Sequence, residues 1–250
     1  MAFLLKDYIG LIAALRNKGY GLGPVKRYFE DYETPFVFLR HDVDRLPFRA
    51  INMARAEHAA GIASTYYFRC TPDGRFNENH IRQIAGLGHE TGYHYETIAR
   101  NNGDAAAAFE AFKCELTALR KIADVKTVAA HGSPLSAHSN MNYTENIDMS
   151  ELGLLGEPQV DFDYSKVLYI TDTGGIFGSP HNRRDWSNSK NLRTPTSPQE
   201  LGKKLIPDEE PLLLLNTHPE RWPVTAVGLA QALVLDALVN LVKRRNTDTQ

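Results

Sequence analysis

The segment Phe36-Val-Phe-Leu-Arg-His-Asp-Val-Asp44 ends an apolar run in two carboxylates spaced i, i+2. Successive side chains of a β-strand point to opposite faces, so Asp42 and Asp44 share one face. Two like charges about 6–7 Å apart at the end of a buried strand are costly unless a positive group lies near them. A divalent metal supplies that charge, with one carboxylate as ligand and the other left as a base. The competing reading is a surface strand end with two solvated acids. The histidines weigh against it. Of nine in the chain, His41, His94, His131 and His218 fall at the ends of apolar runs, with His89 close by. Acids and imidazoles gathered at strand ends favour a metal centre.

The elements that must place these groups alternate in type. Residues 3–17 carry Leu4, Leu5, Tyr8, Leu11, Ile12 and Leu15 at helical spacing. A short helix is predicted after Pro24. Strands are predicted over 36–42, 63–69, 89–94, 126–131, 166–172 and 211–217. Helices are predicted over 47–60, 77–87, 104–122, 197–205 and 224–243. This alternation argues an α/β fold with a parallel sheet and crossover helices. With six or seven units, a closed or nearly closed barrel is the favoured architecture, and a doubly wound open sheet is the alternative. The expected organisation is a single domain over 1–250, with a helical extension over 1–34 and the barrel over 35–245.

Catalytic groups of parallel α/β folds collect at the carboxyl ends of strands. The first predicted barrel strand delivers His41, Asp42 and Asp44 there, and the third delivers Gly88-His-Glu-Thr-Gly-Tyr-His-Tyr-Glu96. The fourth delivers His131, the fifth Asp172 and the last His218. His41 points away from Asp42 and is expected in the core. Tyr93, Tyr95, Trp186 and Trp222 could stack on a ring-shaped ligand, although aromatics at strand ends more often pack in cores. Arg183, Arg184 and Arg221 could bind an anionic group, but solvated arginines are the default. His58, His80, His138 and His181 receive no role.

Arg40-His-Asp-Val-Asp44 resembles the first motif of the polysaccharide deacetylases, the NodB-homology group also called carbohydrate esterase family 4. Gly88-His-Glu-Thr-Gly-Tyr-His94 is similar to that family's Gly-His-Glu-x-Gly-x-His motif. Leu215-Asn-Thr-His218 is similar to its last motif, and Asp172 with Trp186 loosely resembles the fourth. The resemblance runs over about residues 36–222. With His131-Gly-Ser-Pro-Leu-Ser136, the wording is most similar to a bacterial subgroup associated with surface-polysaccharide and O-antigen gene clusters. The resemblance implies a distorted, incomplete (β/α)7-type barrel with the N-terminal helical extension. It also implies a divalent metal, usually zinc, and removal of acetyl groups from N-acetylated, sometimes O-acetylated, sugars. Carried over position by position, Asp42 is the base, Asp44 and His94 are metal ligands and His218 is the general acid. Asp172 would hold a catalytic partner in orientation, or serve only as a turn cap.

Two departures matter. The family usually has a second histidine four residues after the first, where this chain has Ile98. Its third motif usually carries an arginine, where this chain offers His131. The third metal ligand is then His131 or Glu96, or the metal is weak or absent. His131 is favoured, because a catalytic zinc takes three protein ligands plus a water and accepts imidazole readily.

Composition narrows the partners. The 250 residues are 42% hydrophobic and 23% charged, with a formal net charge of −2. Nothing there suggests a nucleic-acid or anionic-membrane surface. No GxGxxG or GxxxxGK[ST] motif and no internal repeat is present. The N-terminus lacks the pattern of a signal peptide. The most apolar stretch, Val224 to Val242, is interrupted by Gln231, Asp236 and Asn240, so no membrane insertion is expected. The expected location is cytoplasmic, and the expected partner is an N-acetylated sugar or glycan precursor. A metal-free pseudoenzyme or glycan-binding domain and an amidohydrolase of non-sugar amides are the alternatives. Cys70 and Cys114 match no zinc or redox spacing and are expected as free, buried thiols. The polar stretches 132–165 and 173–198 are expected as loops that either build a substrate site or are mobile surface loops with no role.

Overall fold

The computed structural model of the chain describes residues 3–133, 136–141, 143–178 and 196–234. Seven strands form one sheet: β1 (Gly21–Pro24), β2 (Phe36–Val43), β3 (Thr65–Phe68), β4 (Glu90–Tyr95), β5 (Val128–Ala130), β6 (Val167–Thr171) and β7 (Leu212–Thr217). Their order is β5-β4-β3-β2-β7-β6, and every ladder is parallel. The sheet curls into a half-barrel with helices around it. It is joined between β7 and β2, and among the described residues no ladder closes β5 onto β6. The α/β, incomplete-barrel expectation therefore holds.

Among the described residues, seven helices lie whole beside the strands: α1 (Leu5–Asn17), α2 (Pro47–Ala59), α3 (Glu78–Gly86), α4 (Thr97–Arg100), α5 (Ala105–Arg120), α6 (Pro158–Asp161) and α7 (Pro198–Lys204). The last predicted helix is helical over 226–234; residues 224–225 form a bend before it, and 235–243 lie outside the described residues. The extension over 1–34 is not helical throughout. Its Gly21–Pro24 forms β1, which pairs with Phe36–Leu39, while β3 pairs with Arg40–Val43 farther along β2. Two glycines and a proline offer no apolar alternation to announce such a strand. Glycine is needed there because a Cβ on Gly21 or Gly23 would come within 2.7 or 2.8 Å of the Phe36 ring.

Strand alternation sorts the side chains into two layers. Val37, Leu39, Tyr66, Phe68, Tyr93, Tyr95, Val128, Leu213 and Leu215 face outward and pack with Tyr8, Leu11, Met53 and Phe112 of the helices. Phe36, Phe38, Tyr67, Ala129, Tyr169, Leu212 and Leu214 face inward and fill the amino-terminal half of the barrel. The inward side of the same strands turns polar toward the carboxyl end, with Arg40, Asp42, His94 and Asn216 all buried. Gly92 on β4 makes room for this layer, because a Cβ there would meet the Tyr67 ring at 2.3 Å.

One buried acid ties the outer helices to the sheet. Glu57 of α2 accepts hydrogen bonds from Tyr8 of α1 (2.5 Å), Ser64 (2.5 Å), Tyr66 of β3 (2.7 Å) and His41 of β2 (2.9 Å). Burial pushes its carboxyl up, but His41, His89 and Ser64 outweigh burial and hold it at about 2. His41 thus occupies the core, as its outward position predicts. Glu57→Ala strands four polar partners in an apolar layer and is expected to cost about 3–5 kcal/mol. Urea unfolding measures this, and a loss below about 1 kcal/mol would show the cluster to be dispensable.

Cys70 is buried and Cys114 exposed, and both are free, so burial was expected wrongly for Cys114. No helix among the described residues is long and apolar enough to cross a membrane.

Candidate active site

Asp42 lies on the inward face of β2, and Asp44 follows the last residue of that strand. His94 lies on β4, while His131, Asp172 and His218 each follow the end of β5, β6 and β7. The fold therefore brings all six predicted site residues to one mouth. The backbone leaving Asp44 turns through Leu46 at φ 50°, and that leaving His131 turns through Ser133 at φ 38°. Left-handed non-glycine residues of this kind cluster where side-chain placement matters.

Each of three imidazoles is anchored through Nδ1 and turns Nε2 toward Asp44. His94 Nδ1 donates to the Ala129 carbonyl (2.9 Å), His131 Nδ1 to Glu96 (2.9 Å) and His218 Nδ1 to Asp172 (2.6 Å). A carbonyl or carboxylate only accepts, so the Nδ1 proton is assigned in each ring. His94 Nε2 then stands 3.4 Å from Asp44 Oδ1, and His131 Nε2 stands 3.7 Å from the same oxygen. His218 Nε2 stands 3.9 Å from Asp44 Oδ2.

Asp44 Oδ1 is buried and has no hydrogen-bond partner. An orphaned carboxylate oxygen facing two imidazole nitrogens is a fit for a divalent cation. Donors at about 2.1 Å from a tetrahedral zinc lie about 3.4 Å apart, which the Asp44–His94 separation matches. His131 stands a few tenths of an ångström wide of that. Even so, no group of three or more His, Cys, Asp or Glu side chains among the described residues is arranged to hold a metal ion as it stands.

Glu96 does not face Asp44. It is held by Arg69 Nη2 at 2.8 and 2.9 Å and accepts from His131. Burial raises its carboxyl, but His131 and Arg69 outweigh that and hold it at about 2. It is thus placed to orient the His131 ring. Burial lowers the His131 imidazole against the opposing pull of Asp44 and Glu96, which favours the neutral ring a metal requires. Burial likewise raises Asp44, but His131, His94 and His218 hold it well below the usual carboxylate range.

Asp42 has a different partner. Arg40 Nε and Nη2 donate to its two oxygens, both at 2.8 Å, and Asn216 adds a third bond at 3.0 Å. Burial pushes the carboxyl up, yet Arg40, His94 and His218 outweigh it and hold it at about 2. Arg40 is a residue that the sequence reading passed over. The signal was present, since position 40 lies two residues before Asp42 and so on the same face.

Burial and Arg221 push the His218 imidazole down, but Asp172 and Asp44 prevail and raise it to about 9. His218 is therefore an imidazolium at neutral pH. Asp172 also accepts from Trp222 Nε1 (2.7 Å), Arg221 Nη1 (3.2 Å) and the His218 amide (3.1 Å). Because an imidazole titrates near 6.5 in an unfolded chain, this pairing stabilises the fold fully below pH 6.5. The contribution is lost as pH rises through about 9. Asp172→Asn leaves burial and Arg221 opposed only by Asp44, so the ring's titration is expected to fall well below about 9. Histidine NMR titration measures the change, and a ring still titrating near 9 would assign the shift elsewhere.

Tyr93 and Tyr95 are buried on the outward layer, and Trp222 is buried against Asp172, so none of the three offers a free stacking face. Arg221 bonds Asp172. His181, Arg183, Arg184 and Trp186 lie outside the described residues, as do residues 179–195 of the second long loop. The first loop is only partly irregular. It carries α6 and is pinned by the buried Glu157, which accepts from the Ala130 amide, Tyr95 and Thr144.

No protein-family model matches the chain, and no curated protein does. Solved structures that are similar to it include two of one protein. One is the crystal structure of a mutant of BA3943, described as a CE4 family pseudoenzyme, with TM-score 0.43 and 13% identity. The other is a BA3943 mutant described as a CE4 family pseudoenzyme with restored enzymatic activity, with TM-score 0.43 and 12% identity. In each case the match covers 84% of this chain and 62% of the other, so the chain spans less than two thirds of that protein's length. A likeness this distant adds nothing to the chemistry read from the residues themselves.

Proposed function

We propose that the chain is a metal-dependent deacetylase of N-acetylated sugars, acting on a glycan precursor in bacterial surface-polysaccharide synthesis of the O-antigen type. The observation that carries this is the orphaned Asp44 Oδ1 faced by the Nε2 atoms of His94 and His131, with a charged His218 across the same carboxylate. Asp44, His94 and His131 would hold a divalent cation, zinc being the metal this donor set suits best. When bound, that cation polarises the acetamide carbonyl and acidifies the attacking water.

The chain's own residues supply the proton transfers. Asp42, kept ionised by Arg40, takes a proton as water adds to the carbonyl carbon. His218 carries a proton at neutral pH and gives it to the nitrogen as the C–N bond breaks. Asp172 holds that imidazolium in orientation, and Glu96 holds His131. Acetate and a free amino sugar leave. A cytoplasmic setting suits a lipid-linked or nucleotide-linked precursor.

A second reading, a metal-free glycan-binding pseudoenzyme, is favoured by the two-bond pairing of Arg40 with Asp42, which leaves Asp42 a weak base. Metal analysis after equilibration with zinc, together with acetate release from a panel of acetamido sugars and small non-sugar amides, tests both. One equivalent of metal and acetate release from the sugars support the deacetylase. A metal-free, inactive protein supports the binder, and turnover of the non-sugar amides alone moves the substrate class.

A further inference from the structure

Seven large apolar side chains are exposed among the described residues, and five of them lie on two neighbouring segments: Phe48, Val224, Val227, Leu233 and Val234, each 51–71% exposed. Apolar residues scattered singly over a surface are ordinary, whereas a group of them marks an interaction face. Four belong to the chain that follows the 3-10 turn Pro219–Arg221, directly after His218. Trp222 is buried against Asp172, and Thr225 then starts the last helix, its Oγ1 accepting from the Gly228 amide at 3.2 Å. The fifth, Phe48, is the second residue of α2. Its neighbour Arg49 donates to the Glu220 carbonyl and to the Gly228 carbonyl (3.1 Å), which fastens the start of α2 to that turn and to the last helix. The apolar group thus begins beside the mouth of the barrel.

The last helix is inverted for one that faces water. A surface helix turns its charged and polar residues outward. Residues 226–234 include no charged side chain; Ala232 is the buried one, while Val227, Ala230 and Val234 recur at i, i+3 and i+7 on the exposed side. In the sequence beyond, Leu238 and Leu241 keep the helical spacing of Val234, whereas the polar Asp236 and Asn240 keep that of Ala232. The apolar stretch then ends in Lys243-Arg244-Arg245.

A second copy of the chain packed on this face would need groups that fix its register, and flanking charges supply these in paired helices. Residues 226–234 offer none. The exposed sector is also wide, since Leu233 lies off the line from Val227 to Val234. A bilayer surface needs neither register nor a narrow seam. It takes an apolar helix face into the headgroup boundary and draws nearby basic residues to anionic lipid. The near-neutral net charge of the chain is no bar, because that attraction acts only within a Debye length of about 8–10 Å.

We propose that the last helix, with Phe48 beside its start, lays its apolar side in the surface of an anionic lipid bilayer. The chain lies on the membrane without crossing it, and the mouth of the barrel is held near the lipid. Of the precursors considered above, this favours the lipid-linked one; that consequence rests on the deacetylase reading, and the membrane contact does not.

The test floats the full chain with vesicles of phosphatidylcholine alone or of phosphatidylcholine mixed with phosphatidylglycerol. The wild-type chain is expected to bind the anionic vesicles at low salt and to be released at high salt. Val227→Asn with Val234→Asn changes two exposed positions, so the Tm is expected to hold. Its vesicle binding is expected to fall at least about tenfold, because two apolar contacts are lost. Lys243→Gln, Arg244→Gln and Arg245→Gln together are expected to weaken binding about fivefold for each charge removed. Acetate release from soluble acetamido sugars should be the same in both variants, since none of these positions is assigned to the reaction. A wild-type chain that stays off both kinds of vesicle overturns the proposal, as does unchanged binding by both variants. So does a wild-type chain that runs as a dimer and becomes monomeric with the asparagine pair, because a second copy then covers the face. Flotation needs neither metal nor turnover, so a chain that floats but releases no acetate removes only the deacetylase reading.

Discussion

Asp44→Ala is expected to abolish measurable uptake of a divalent cation and, with it, acetate release. Asp44 is the carboxylate that both His94 Nε2 and His131 Nε2 face, at 3.4 and 3.7 Å. Both rings have their Nδ1 protons committed to acceptors, so neither can turn to form a different site without breaking a buried hydrogen bond. Asp42 cannot take over, although it stands 3.8 Å from His94, because Arg40 and Asn216 already occupy its oxygens. Losing a group behind a ligand costs about 10–100-fold in affinity, so losing the anionic ligand itself is expected to exceed that. Calorimetry with Zn2+ measures it, alongside the cation-induced rise in Tm, which should vanish by linkage. A variant that still takes up one equivalent with near wild-type affinity would place the cation elsewhere. His218 should also titrate lower in this variant, because Asp44 helps hold its proton.

All strands but β1 were legible because each is an apolar run ending in a polar group, and the half-barrel followed from their alternation with helices. β2 shows the strength and the limit of that reading. Period-two alternation placed Asp42 and Asp44 on one face, and the need for a positive charge beside them followed. The same alternation places Arg40 on that face, where its guanidinium supplies the positive charge that Asp42 needs. The choice between His131 and Glu96 was not legible, because it depends on the lateral pairing of β4 with β5. The register Tyr95 with Ala130 sets Glu96 beside His131, which turns two competing candidates into an acceptor and a ring. Gly88 and Gly92 belong to one motif by spacing, yet serve different needs. Gly88 takes a left-handed turn at φ +88°, and Gly92 clears the Tyr67 ring. Trp222 and the two tyrosines of β4 take the commoner place of aromatics near strand ends, the core.

Asp42→Asn is expected to retain the cation and lose turnover by about 10²–10⁴-fold, the usual contribution of a positioned base. The substitution preserves shape, and the asparagine side chain can still accept one bond from Arg40. It removes the negative charge that compensates a fully buried guanidinium, so a fall in stability of several kcal/mol is expected as well. That loss would confuse a simple activity measurement, and a second variant separates the two effects. Arg40→Met with Asp42→Asn removes both charges, and replacing a buried ion pair by apolar volume is often close to neutral for stability. The double variant should therefore unfold near the wild-type temperature, bind Zn2+ with near wild-type affinity through Asp44, His94 and His131, and remain inactive. The single variant Arg40→Met should release the Asp42 carboxyl upward from about 2, since burial then meets only His94 and His218. Its acid limb of activity should move to higher pH. Turnover by the stable double variant within about threefold of wild type would take the proton away from Asp42 and leave its pairing with Arg40 as a structural feature of the barrel.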